Sequence, residues 1–138
     1  MKTFLTLYVI GVVIFLSIDL LWLGVLARDY YRDGMGALLL ERPRMDIGLI
    51  FYMIFVVGLV IFGMRAGLAA NDWSQAALYG ALFGFFCYAT YDLTNLAILK
   101  GFPLHLALVD MAWGTVLSGV TSALAFVIAR AWLGDMTG

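Results

Sequence analysis

The stretch Cys87-Tyr-Ala-Thr-Tyr-Asp-Leu-Thr-Asn-Leu-Ala97 is a polar seam inside an otherwise apolar segment running from about residue 76 to 99. A carboxylate at the middle of a membrane-spanning helix costs about 2.5–3.5 kcal/mol even on a lenient insertion scale, so Asp92 is expected to face protein or a water-filled cavity rather than lipid. That single acid asks for other helices around it. Which segments surround it decides the fold.

Composition supplies the setting. Of 138 residues, 64% are hydrophobic and 12% are charged, about half the charged share of a soluble protein, which leaves too little polar surface for a water-soluble fold. The chain is expected to be a single multi-pass membrane domain. A net charge of −1, with basic residues scattered singly or beside acids, gives no polybasic face for nucleic acid. One cysteine, Cys87, excludes an intrachain disulfide, and no Cys/His grouping has zinc-site spacing.

Apolar runs long enough to span a core of about 30 Å predict an all-α, up-down-up-down bundle of four transmembrane helices, over residues 3–27, 46–64, 75–99 and 104–133. In the first, positions three and four apart share a face. Phe15, Asp19, Trp22 and Leu26 would then point inward, with Val13 and Leu20 toward lipid. Between the first two helices, residues 28–46 form the longest polar connection. Residues 35–40 within it are expected to form a short interfacial helix that ends before Pro43. Residues 65–73 are expected to be a loop, with Asp72 or Ser74 capping the third helix. Gly48, Gly58 and Gly63 on the second helix, and Gly80 and Gly84 on the third, offer small-residue faces for close helix approach, including the contact of a homodimer.

Helical rise converts sequence distance into depth. Asp19 precedes Arg28 by nine residues and Asp92 precedes Lys100 by eight, which places both roughly 12–14 Å inside one boundary. Asp110, ten residues after Lys100 on the returning helix, reaches roughly 10 Å or a little more. Three acids thus occupy one layer. Exposed to lipid they would together cost roughly 8–10 kcal/mol, so they are expected to share a protected cavity in which a proton, a cation or a cationic ligand offsets their repulsion. Asp19, Trp22, Tyr88, Tyr91, Asp92, Asn95, Asp110 and Trp113 are the candidate cavity residues. A divalent cation, if one binds, would take Asp19, Asp92 and Asp110 as oxygen ligands. The basic residues gather at the boundary holding Arg28, Arg32, Arg42, Arg44 and Lys100, which leans the acidic layer toward the cytoplasm.

Several stretches also carry a family resemblance: Asp19-Leu-Leu-Trp-Leu-Gly24, Phe51-Tyr-Met-Ile-Phe-Val-Val-Gly-Leu-Val-Ile-Phe62, Gly80-Ala-Leu-Phe-Gly84, Tyr88-Ala-Thr-Tyr-Asp-Leu-Thr-Asn-Leu-Ala97 and Val109-Asp-Met-Ala-Trp-Gly-Thr115. Together they resemble the small bacterial membrane proteins of domain-of-unknown-function family 2177, over nearly the whole chain. The resemblance implies a four-helix inner-membrane protein without an established activity, in a setting of fatty-acid modification.

Three functions compete. In the first, the acidic layer receives the polar end of a membrane amphiphile, with Trp22, Trp113 and Tyr91 as walls and one carboxyl serving as general acid or base. In the second, the acids form a proton- or cation-coupled transport site enclosed by a dimer. In the third they only bond helices together, at about 0.6 kcal/mol per contact. The aromatic walls suit an apolar guest and favour the first. No nucleophile motif or cofactor fingerprint accompanies it.

Overall fold

The structure, a computed structural model, describes residues 1–40 and 42–133. Glu41 of the polar connection and the tail after Leu133 lie outside the described residues. Among the described residues every regular element is helical. Helix α1 (Lys2–Leu21) runs into a π-helical turn, Trp22–Leu26, and is followed by the short α2 (Arg28–Met35) and a single 3-10 turn, Gly36–Leu38. Helix α3 (Met45–Leu59) continues through a second π-helical turn, Val60–Met64, into α4 (Arg65–Ala70). Two long helices, α5 (Trp73–Ile98) and α6 (Leu104–Leu133), complete the chain.

Among the described residues three continuous helical stretches are long and apolar enough to cross a membrane: Lys2–Leu26, Met45–Ala70 and Leu104–Leu133. Helix α5 has comparable length, 26 residues, but its glycines, tyrosines and Asp92 make it more polar. The α1 face behaves as an amphipathic stripe turned inside out. Leu7, Gly11, Phe15 and Asp19 are buried at a spacing of four, while Val13 and Leu20 are exposed on the face available to lipid. Leu26 departs from the expected face and is 69% exposed. The π turn explains this, because the Ala27 amide donates five residues back to the Trp22 carbonyl at 2.7 Å. The extra residue per turn rotates the downstream side chains out of register.

Two other boundaries differ from expectation. The second span does not stop at Met64, since α4 carries it to Ala70. A single arginine does not end a helix, as its long stem lies along the helix and carries the charge outward. The stop comes at Asn71, whose left-handed backbone (φ 53°) closes the helix. Asp72 then caps α5 as anticipated, its Oδ1 accepting from the Ser74 amide at 3.0 Å. The interfacial helix lies at Arg28–Met35 rather than at 35–40. Tyr30 and Tyr31 fasten this earlier segment to α6, and Gly36, at φ 52°, breaks the helix where the apolar leucines begin. Leu39 is extended.

Packing divides the molecule lengthwise. Helices α5 and α6 form the most intimate pair, and the second half of the Met45–Ala70 span lies on α5, whereas its first half leans mainly on α1. Gly63 and Gly80 meet backbone to backbone, so that a Cβ on Gly63 would come within 2.8 Å of the Gly80 Cα. Gly80 lies on Ser122, Gly84 on Ser118, and Gly58 beneath the Phe83 ring. Of the glycines expected to offer a homodimer contact, Gly58, Gly63, Gly80 and Gly84 are taken up inside the protomer, while Gly48 faces open space. Where α3 splays from α5, aromatic side chains bridge the gap: Phe55 lies 5.1 Å from Phe15, 5.3 Å from Phe83 and 6.1 Å from Tyr88, centroid to centroid.

Candidate functional site

The splay of α3 leaves a cleft of about 1080 Å³ between α1, α2, α3, α5 and α6. Its floor carries Asp19, Asp92 and Asp110, its walls are Tyr31, Phe51, Tyr52, Phe55, Tyr88, Tyr91 and Trp113, and its mouth includes Leu23, Leu39, Leu40, Arg28 and Arg32. The mouth residues are exposed, so the cleft is open on that side rather than the sealed cavity expected from the acids alone. Along the helices it goes no further than Cys87 on α5 and Trp113 on α6. Beyond them the glycine–serine contacts close the interior.

Each acid is held differently. Asp19, 2% exposed, has a donor on each oxygen: the Tyr52 hydroxyl donates to its Oδ2 and the Trp113 indole N–H to its Oδ1, the latter at 3.0 Å. Asp110 accepts from the Tyr31 hydroxyl through Oδ1 at 2.8 Å. Its carboxyl is the acidic neighbour of both Asp19 and Asp92. Asp92 is 1% exposed; its oxygens meet no hydroxyl, amide or indole donor among the described residues, and the Asp110 carboxyl lies within hydrogen-bonding reach of it, so that the two acids can share a proton. A buried carboxyl without such donors costs free energy that packing elsewhere must offset.

Tyr31 ties the rim to the floor. It receives the Trp22 indole N–H at 3.2 Å and passes its own proton toward Asp110. Tyr31 lies outside the apolar spans, and burial above all, with Asp110 nearby, holds its hydroxyl above the ordinary phenol range, so it remains a donor. Trp22 stacks on Trp113 with centroids 4.2 Å apart and planes 10° apart. At the outer edge the Tyr30 hydroxyl and His105 Nδ1 are 2.8 Å apart. Gly34 faces Leu106 and Pro103, which seats α2 on the start of α6.

Of the eight residues proposed from sequence, Asp19, Tyr88, Tyr91, Asp92, Asp110 and Trp113 line this cleft. Trp22 stands behind Trp113 and acts through Tyr31, and Asn95 sits further along α5 without lining the cleft. Tyr91, 53% exposed, lies within hydrogen-bonding reach of Asn95 four residues on, whereas the Tyr88 ring packs against Gly114. Tyr52 and Tyr31 were missed. A lone hydroxyl in the apolar run 47–64 was the available signal for Tyr52, because a donor in a membrane span needs an acceptor. Tyr31 read only as a headgroup-level residue. No group of three His, Cys, Asp or Glu side chains among the described residues is arranged to hold a metal ion. Asp19, Asp92 and Asp110 share a neighbourhood but not a coordination sphere.

No curated protein and no solved structure matches the chain. A family model does, over residues 4–127, which is most of its length. The chain belongs to DUF2177, the family described as predicted membrane protein.

Proposed function

We propose that this protein crosses the bacterial inner membrane four times and holds the polar end of a lipid-like amphiphile in the cleft, against Asp92 and Asp110, with the apolar chain leaving past Leu23, Leu39, Leu40 and Phe51. Helix α5 supplies the fourth crossing. Its length of 26 residues corresponds to roughly 39 Å, and its acid, Asp92, is buried along with Ala76, Gly80 and Gly84.

One observation carries the reading: a cleft of about 1080 Å³ joins a carboxyl floor to aromatic and aliphatic walls and opens at a mouth where leucines stand beside Arg28 and Arg32. This volume is at the upper end of small-molecule sites. Mere bonding between helices accounts for Asp19, which holds Tyr52 and Trp113, but less well for a second buried acid, Asp92, set against another carboxyl, Asp110, with no other donor among the described residues. Transport gains little support, because past Cys87 and Trp113 the interior is closed by backbone contact. A carboxyl pair beside a tyrosine also has the chemistry for proton transfer to a bound head group.

The test uses Cys87, which lines the cleft and is the chain's only cysteine. Protein purified in mild detergent is expected to carry lipid detectable by native mass spectrometry. After delipidation, an added long-chain amphiphile is expected to slow maleimide labelling of Cys87 at least fivefold. Absence of retained lipid together with an unchanged labelling rate would sink the proposal.

A further inference from the structure

The cleft has a polarity that specifies its guest more closely. Its buried floor is acidic, and none of the three acids makes a salt bridge among the described residues, where the ion pair is the exposed Arg32–Asp29 contact at 2.6 Å. Asp19 has both oxygens engaged by donors, so it offers a guest little. Asp110 keeps Oδ2 in reserve, since its bond from Tyr31 uses Oδ1. Asp92 lines the cleft, is buried to within 1% and has two oxygens that meet no hydroxyl, amide or indole donor among the described residues. Unused acceptor capacity is therefore concentrated at the Asp92–Asp110 pair.

Three kinds of head group meet this pair differently. An anionic head adds a negative charge to a site that already holds neighbouring carboxyls in a weakly screened interior. A neutral polyol supplies donors but leaves the carboxyl repulsion in place. A polyatomic cation supplies both donors and countercharge, and the Tyr88, Tyr91 and Trp113 rings beside it add the attraction of aromatic faces for positive charge. A bare metal ion is poorly served, as no three-ligand group is present among the described residues. At the mouth the sign reverses, with Arg28 and Arg32 lining the entrance.

Resting on the amphiphile reading above, we infer that the guest's head group is a zwitterion whose ammonium enters first and bonds to Asp92 and Asp110, while its anionic part stays at the mouth beside Arg28. An aminophospholipid head has this order, cation outermost from the chains and phosphate between.

The experiment titrates delipidated, detergent-solubilised full-length protein with three dioctanoyl lipids, scored by native mass spectrometry. The first bears phosphoethanolamine, the second the same head with its nitrogen acetylated, and the third phosphoglycerol. The ethanolamine lipid is expected to bind at least tenfold more tightly than either of the others. Asp92→Asn is expected to reduce that preference to less than threefold while phosphoglycerol lipid binding stays measurable, which also shows that the variant is folded. Equal binding of all three lipids by the wild type overturns the ammonium inference but leaves the amphiphile site standing. Retention of none of them overturns both. Free ethanolamine at the same concentration separates the remaining case: if it protects Cys87 as well as the lipid does, the ammonium site holds and the lipid reading falls.

Discussion

The two ends of the α5–α6 pair achieve contact by opposite means. Toward the α4–α5 turn, backbones touch: Gly80 and Gly84 accept Ser122 and Ser118 directly, and Gly119 lies against the Ala77 carbonyl and Ala81. Toward α2, side chains keep the helices company instead, and rings and carboxyls surround open space. In a membrane, where burying apolar surface gives helices no advantage over lipid, backbone proximity is what holds a pair together. Stability therefore resides at one end of the molecule and room for a guest at the other.

The harshest way to break this contrast is to place a side chain in the closed end. Gly84→Val is expected to cost about 3 kcal/mol in detergent unfolding followed by far-UV circular dichroism. Gly48→Val, where a Cβ meets nothing within 4 Å, is expected to stay within about 0.5 kcal/mol of wild type. Equal losses at the two positions would erase the distinction.

The open end is sharpened by a pair of substitutions with opposite signs. Asp19→Leu strands the Tyr52 hydroxyl and the Trp113 N–H, and is expected to destabilise by about 2 kcal/mol. Asp92→Leu removes a buried carboxyl set against another, Asp110, with no other donor among the described residues, and is expected to stabilise by about 1 kcal/mol, raising the melting temperature while lowering lipid retention. Two losses in the same melting experiment would mean that Asp92 is structural after all. Tyr31→Phe is milder. Losing its bond to Asp110 is expected to cost about 1 kcal/mol and to speed hydrogen exchange in α2 while leaving the α5–α6 amides protected.

The smallest effect lies outside both ends, at the α5 cap. The Ser74 hydroxyl and amide hold the Asp72 carboxyl below its ordinary value of 3.8. A depressed folded-state value contributes stability that is present above the unfolded pKa and lost as pH falls through the folded one. A slight drop in melting temperature is thus expected below about pH 4, and Asp72→Asn should remove that pH dependence. An unchanged acid limb in the variant would assign it to other carboxyls.

Long leucine- and phenylalanine-rich runs made the helices legible in the sequence, because the membrane admits few alternatives to a helix. Counting residues from Arg28 and Lys100 suggests one layer for Asp19, Asp92 and Asp110, and all three line one cleft. What counting could not supply was azimuth and partnership. Leu26 fell on the wrong face because nothing in Trp22–Leu26 announces a π turn. Tyr31 was invisible as a site residue because its partner, Asp110, lies 79 positions away. Arg65 concealed six further residues of helix, since a charge reads as a boundary even when its stem can carry it outward. The openness of the cleft depends on where α3 parts from α5, a matter of tertiary packing that no local pattern encodes.

The π turn at Trp22–Leu26 gives chain length a meaning of its own. A helix holding one surplus residue without unfolding is in the state that a single-codon insertion would create. Excising one residue there would restore even winding and swing everything downstream by about 100°, carrying Tyr31 away from Asp110 and the arginines away from the entrance. In this stretch the number of residues constrains heredity more tightly than their identity.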